Sequence, residues 1–146
     1  MKDITILIGR DTVRQITNLL KQETNVWWSY QLMKYENPRL WYIRTYYGGN
    51  NNSMFVKIFY YHKNAEIVVN STAKRRVRDK RKIINLSNPD YINEAAKATM
   101  ESMIESIEIW LEFRGTFSTS GYTSWSGSYD LYENYKKLKE QYDRIF

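Results

Sequence analysis

The chain has 146 residues, 42% of them hydrophobic and 26% charged, the size and balance of one globular domain able to bury a core without disulfides or metals. It has no cysteine and one histidine, which excludes thiol catalysis, zinc–thiolate sites and disulfide frameworks. The 22 Lys and Arg against 16 Asp and Glu leave a formal charge of +6, and no apolar run reaches transmembrane length. A cytoplasmic protein with no membrane partner is expected.

From the amino terminus, ITILI (4–8) alternates Ile4, Ile6 and Ile8, the period of a half-buried strand, and Gly9 ends it. Asp11 then has the chemistry of an N-cap, and Thr12, Val13, Ile16, Leu19 and Leu20 recur at helical spacing as far as about Glu23. Four stretches rich in aromatic and β-branched residues follow: VWWSYQLMKY (26–35), LWYIRTYY (40–47), MFVKIFYY (54–61) and AEIVV (65–69). The turn-forming ENPR, GGNNNS and HKN separate them. Short connections between consecutive strands predict an antiparallel meander, with KIINL (82–86) a candidate last strand. SNPDYINE opens a helix capped by Ser87, Asn88 or Asp90 and running to about Phe113. Its apolar stripe is Ile92, Ala96, Met100, Met103, Ile107, Trp110 and Leu111; Glu101, Glu105, Glu108 and Glu112 line the opposite side, where solvated charges belong. A closing helix is expected from Asp130, with Glu133 completing a capping box and Leu131, Tyr135, Leu138, Tyr142 and Ile145 at helical spacing. The expected fold is a single α+β domain over residues 1–146. A single antiparallel β-meander of four to six strands would be covered on one face by an N-terminal helix, a long amphipathic helix and a C-terminal helix.

The charge is concentrated at one place. KRRVRDKRK (74–82) holds seven cations, Lys74, Arg75, Arg76, Arg78, Lys80, Arg81 and Lys82, and one acid, Asp79; the rest of the chain has fifteen of each sign. As a strand or as a helix the segment gathers about five cations on one side, and their repulsion must be screened. Three readings compete: a solvated loop, neutralisation by the glutamates of the long helix, or docking of an anionic partner. The last makes a nucleic acid or nucleotide the expected ligand, with an acidic protein surface as the other anion of suitable charge.

Aromatic residues make up 16% of the chain, and Trp27, Trp28, Tyr30, Tyr35, Trp41, Tyr42, Tyr46, Tyr47, Phe55, Phe59, Tyr60 and Tyr61 all fall on the expected meander. Those on a face free of helices would form a platform for stacking bases, with Arg44 and Lys57 adding charge beside the rings. The competing account assigns them to the core and to cross-strand pairs.

GTFSTSGYTSWSGSYD (115–130) mixes Ser, Gly and Thr with Phe117, Tyr122, Trp125 and Tyr129, the composition of adaptable protein-binding loops. This supports a second hypothesis, a small phage-type inhibitor or adaptor that binds a protein through Tyr122, Trp125 and Tyr129 and the acidic helix face; a connector packing its rings on the body is the alternative. The catalytic inventory is thin. His62 sits in an expected turn, no glycine-rich loop cradles phosphate, and no histidine–carboxylate cluster has ligand spacing, so no catalytic residue, metal or cofactor is expected. A metal-independent ribonuclease using Arg, Lys, Tyr and His62 is the one enzymatic alternative. The leading expectation is a non-enzymatic binding protein, with homo-oligomerisation left open.

Overall fold

The computed structural model describes residues 4–24, 27–32, 39–45, 56–71, 81–114 and 127–146. In chain order they form α1 (Ile4–Thr24), β1 (Trp28–Leu32), β2 (Leu40–Thr45), β3 (Val56–Tyr61), β4 (Glu66–Ser71), β5 (Lys82–Asn85), α2 (Tyr91–Arg114) and α3 (Gly127–Ile145). The strands lie in the order β1-β2-β3-β4-β5, and each neighbouring pair is antiparallel. This is the expected α+β meander, with helices from the beginning, middle and end of the chain.

The first expected strand is not one. Residues 4–8 belong to α1, and Asp11 lies inside that helix, bound to Arg14 and, at 3.3 Å, to Gln15. A five-residue apolar run suits either period, since Ile4, Leu7 and Ile8 also have i, i+3, i+4 spacing, and the apolar stripe that follows settles it for helix. Gly9 does not stop the helix; it lets the helix lie on the sheet. A Cβ there would stand 3.2 Å from Trp41 Nε1 and 3.5 Å from the Tyr60 ring, so the glycine's lower helix propensity is offset by close approach.

Cross-strand partners point to the same side of a sheet, so the register sorts the strands into two faces. One carries Trp28, Tyr30 and Leu32 from β1, Trp41, Ile43 and Thr45 from β2, Val56, Ile58 and Tyr60 from β3, Ile67 and Val69 from β4, and Lys82 and Ile84 from β5. The helices stand on this face. Its apolar residues form one core cluster with Val13, Ile16 and Leu20 of α1, Met100, Met103 and Ile107 of α2, and Leu138 of α3. Trp28, with no exposed surface, donates from Nε1 to the Thr24 hydroxyl at 3.0 Å, and that hydroxyl donates on to the Leu20 carbonyl. The indole nitrogen is thereby satisfied within the core.

Between residues 95 and 108, helix α2 is buried on most sides. Ala95, Ala96, Ala98, Thr99, Met100, Ser102, Met103, Ile104, Ser106 and Ile107 are all buried, because the sheet lies on one side of α2 and α3 packs on it as well. Tyr142 donates to Glu101 and Tyr135 donates to Glu108, each at 2.9 Å. Moving up α3 moves down α2, so the two helices are antiparallel, and both pairs repeat at seven residues. Of the acidic stripe expected to face solvent, Glu101 and Glu108 are therefore used inside the molecule, while the Glu112 side chain lies outside the described residues. Amphipathic patterning identified the sheet-facing side of α2 but could not foresee that a third helix would cover part of the other side.

Helix α2 starts one residue after Asp90, whose carbonyl accepts the first intrahelical bond from Glu94 N, while Asn88 Oδ1 accepts from Asp90 N. Helix α3 begins at Gly127, three residues before the expected cap at Asp130.

Candidate functional site

The opposite face of the sheet carries Ser29 and Gln31 on β1, Leu40, Tyr42 and Arg44 on β2, Lys57, Phe59 and Tyr61 on β3, Glu66, Val68 and Asn70 on β4, and Ile83 and Asn85 on β5. Leu40, Tyr42 and Val68 are buried there yet stand outside the core cluster that the helices share. Of the aromatics expected to divide between two faces, Trp28, Tyr30, Trp41 and Tyr60 point to the helices, whereas Tyr42, Phe59 and Tyr61 share the other face with Arg44 and Lys57. Trp27, just before β1, is 57% exposed. Tyr35, Tyr46, Tyr47 and Phe55 lie outside the described residues.

The register arranges this face in rows running across the strands. Gln31, Tyr42, Lys57 and Asn70 are successive partners in one row; Leu40, Phe59, Val68 and Ile83 are successive partners in the next. Phe59 and Tyr61 stack in parallel, their centroids 5.9 Å apart and their planes 4° from each other. Both are half-buried, Tyr42 is 8% exposed and Ile83 is 64% exposed. Among the described residues of this face, Ile83 is the most exposed large apolar side chain.

Lys74, Arg75, Arg76, Arg78 and Lys80 lie outside the described residues, but the points from which their segment springs are fixed. The chain leaves the sheet at Ser71, the end of β4, and re-enters at Lys82, the start of β5. Val56 pairs with Ser71, Ile43 with Val56, and Lys57 with Asn70, so Arg44 and Lys57 occupy the same end of the sheet as the basic connection. Arg81, exposed, precedes Lys82 and by alternation falls on the face of Lys57.

Lys82 departs from this set. Its side chain turns to the helices, where Nζ lies 2.8 Å from Glu105 Oε1 and 3.4 Å from Ser102 Oγ, with 24% and 21% of the lysine and glutamate side chains exposed. One of the seven cations is thus neutralised by the long helix, as the second reading of the basic run expects; Glu105 Oε2 is buried with no hydrogen-bond partner. Glu101 and Glu108 accept from Tyr142 and Tyr135. The acidic face assigned to a protein partner is accordingly occupied at Glu101, Glu105 and Glu108 by the protein's own groups.

Of the aromatic loop, Tyr122 and Trp125 lie outside the described residues, and Tyr129 belongs to the first turn of α3 rather than to a loop. His62 sits in the turn between β3 and β4, exposed, its ring 6.4 Å from that of Tyr60. The six residues of β4, about 17 Å of strand, separate it from Ser71, the last described residue before the basic segment. His62 lies beyond one end of β4 and Ser71 at the other. No group of three or more His, Asp or Glu among the described residues is placed to hold a metal ion, and none of the described helices is long and apolar enough to cross a membrane.

The sequence alone does not show that Phe59 shares a face with Lys57, Arg44 and Ile83, because the phase between strands is not written in any one of them. No family model matches the chain, and no curated protein and no solved structure matches it.

Proposed function

We propose that this protein is a non-enzymatic, cytoplasmic binder of phosphate-bearing ligands, nucleic acid foremost. The observation that carries the reading is the convergence of charge at one end of the sheet. Arg44, Lys57 and Arg81 lie on the sheet face opposite the described helices, at the end from which the connection between β4 and β5 springs. Outside the basic run the chain is electrically balanced, so the surplus positive charge is carried by the run that springs from this end, and a polyanion is the partner that such a charge attracts. Lys82 is left out of the binding set because its side chain turns to the helix side of the sheet, towards Glu105.

The test is affinity for a mixed-sequence oligonucleotide, read by fluorescence anisotropy. Replacing Lys74, Arg75, Arg76, Arg78 and Arg81 together by Gln lowers affinity at least about tenfold, since each lost phosphate contact removes part of the counterion release. The oligonucleotide is recovered intact after prolonged incubation. Unchanged affinity overturns the binding reading, and cleavage that disappears with His62→Ala brings back the ribonuclease.

A further inference from the structure

Beyond the polyanion reading, we propose that the outer edge of β5 pairs with an extended, acidic segment of a partner protein, which adds a strand to the sheet. β5 is the last strand in the sheet order, and the hydrogen-bond phase fixes which of its backbone groups face outward. Leu86 N donates to the Ala65 carbonyl at 2.8 Å, and the register carries that phase to Ile84 opposite Ile67 and Lys82 opposite Val69. Hydrogen-bonded and non-hydrogen-bonded pairs alternate along an antiparallel ladder, so Ile83 and Asn85 turn their backbone groups away from β4. The Asn85 carbonyl accepts from Asn88 N at 3.1 Å. The N–H and carbonyl of Ile83 and the N–H of Asn85 have no partner among the described residues. They are the donors and acceptor that a further strand satisfies.

Exposure selects this edge, and charge selects its partner. Ile83 is 64% exposed and Asn85 is exposed as well, so the two residues whose backbone faces outward also reach solvent with their side chains. At the other end of the sheet order, Tyr60 N bonds the Arg39 carbonyl, and the same alternation turns the backbone of Trp28, Tyr30 and Leu32 outward. There Trp28 is fully buried and Tyr30 and Leu32 pack against the core. Six of the eight residues immediately before Lys82 in the chain are cations, while Glu66 stands opposite Asn85. The edge is thus polarised, with its cations at the Lys82 end. An incoming strand matches it when a β-branched apolar residue faces Ile83 and carboxylates lie towards Lys82. Antiparallel pairing, the more stable arrangement, puts those carboxylates at the carboxyl-terminal end of the partner segment. A second copy of this chain would bring its own +6 to the same edge and be repelled. An oligonucleotide offers charge but no backbone in strand geometry.

The probe is a fluorescent peptide of alternating Val and Thr followed by a short run of Glu, read by anisotropy against the full chain. It binds about tenfold tighter than oligo-glutamate of equal charge, and about threefold tighter than the peptide with its Glu run at the amino terminus. Methylating the peptide nitrogens on the side that faces β5 weakens binding about tenfold with the protein itself unaltered. Ile83→Pro deletes the outward N–H without removing a bond between β4 and β5, and proline is tolerated on edge strands; it weakens peptide binding about tenfold. Ile83→Thr, which keeps that N–H and a branched side chain, stays within about threefold of the parent. Oligo-glutamate binding as tightly as the peptide overturns the inference and leaves charge attraction alone. Undiminished binding of the methylated peptide, or by the Ile83→Pro protein, overturns it as well. Failure to bind the peptide while oligonucleotides still bind overturns this inference only; failure to bind either overturns the polyanion reading too.

Discussion

Lys82 belongs by sequence to a run of seven cations and by position to the boundary between β5 and α2. The difference follows from strand alternation, since Lys82 and Ile84 share the face of the helices while Ile83 faces away. A half-buried carboxylate whose second oxygen has no partner depends on its one cation, and removing that cation leaves the desolvated charge uncompensated. Lys82→Ala is accordingly expected to lower stability by about 1–3 kcal/mol, between the values for surface and fully buried pairs. Its affinity for oligonucleotides stays within about twofold of the parent. Arg81→Ala is expected to reduce affinity. Urea midpoints with binding isotherms on the same two proteins check both halves; a Lys82→Ala protein that is fully stable, or that binds poorly, contradicts this assignment.

Among the elements, α2 and α3 show how polar groups can serve a helix interface. Tyr135 and Tyr142 each contribute an apolar ring and a hydroxyl that satisfies a half-buried glutamate, so the acidic stripe becomes compatible with burial. Burial first, and the hydrogen bond to Glu101 second, push the Tyr142 phenol up to about 12 from its ordinary 10.0; Tyr135 is raised for the same reasons, through Glu108. A pKa raised in the folded state means that the neutral phenol is the one the fold favours. Its contribution is fully present below about pH 10 and is lost as pH climbs toward 12. Tyr142→Phe is expected to lower stability at pH 7 by about 0.5–2 kcal/mol and to flatten the fall in stability between pH 10 and 12. Denaturation midpoints measured across that range decide it: an unchanged slope would mean that the phenol titrates as if exposed. At the other end of the chain, α1 shows the limit of a short pattern. ITILI has an alternating period and is helical, because the amphipathic run after it is three turns longer and continues without a break through Gly9, where the helix meets Trp41 and Tyr60.

For the whole molecule the decisive quantity is the position of the net charge. Folding brings Arg44 and Lys57, distant in the chain from Lys74–Arg81, to the end of the sheet from which that segment springs. About five neutralised phosphates on a single strand correspond to a slope of log affinity against log salt near −3.5. That slope, measured between 50 and 300 mM salt, is expected to become shallower by roughly 0.7 for each cation replaced by Gln and to be insensitive to Lys82→Ala. A slope near zero would remove phosphate neutralisation from the account of binding.

Local information sufficed for the larger part of the architecture. Four strands separated by turn chemistry, a fifth after the basic run, and two long helices with apolar stripes are periodic signals carried by the chain itself, and so is the concentration of charge between residues 74 and 82. Three things awaited the tertiary structure: which aromatics share a face with Arg44 and Lys57, which cation is lost to Glu105, and which glutamates are covered by α3. Each is a relation between residues far apart in sequence. Strand phase and helix packing are set by how all the apolar stripes fit together at once, so no single segment contains them.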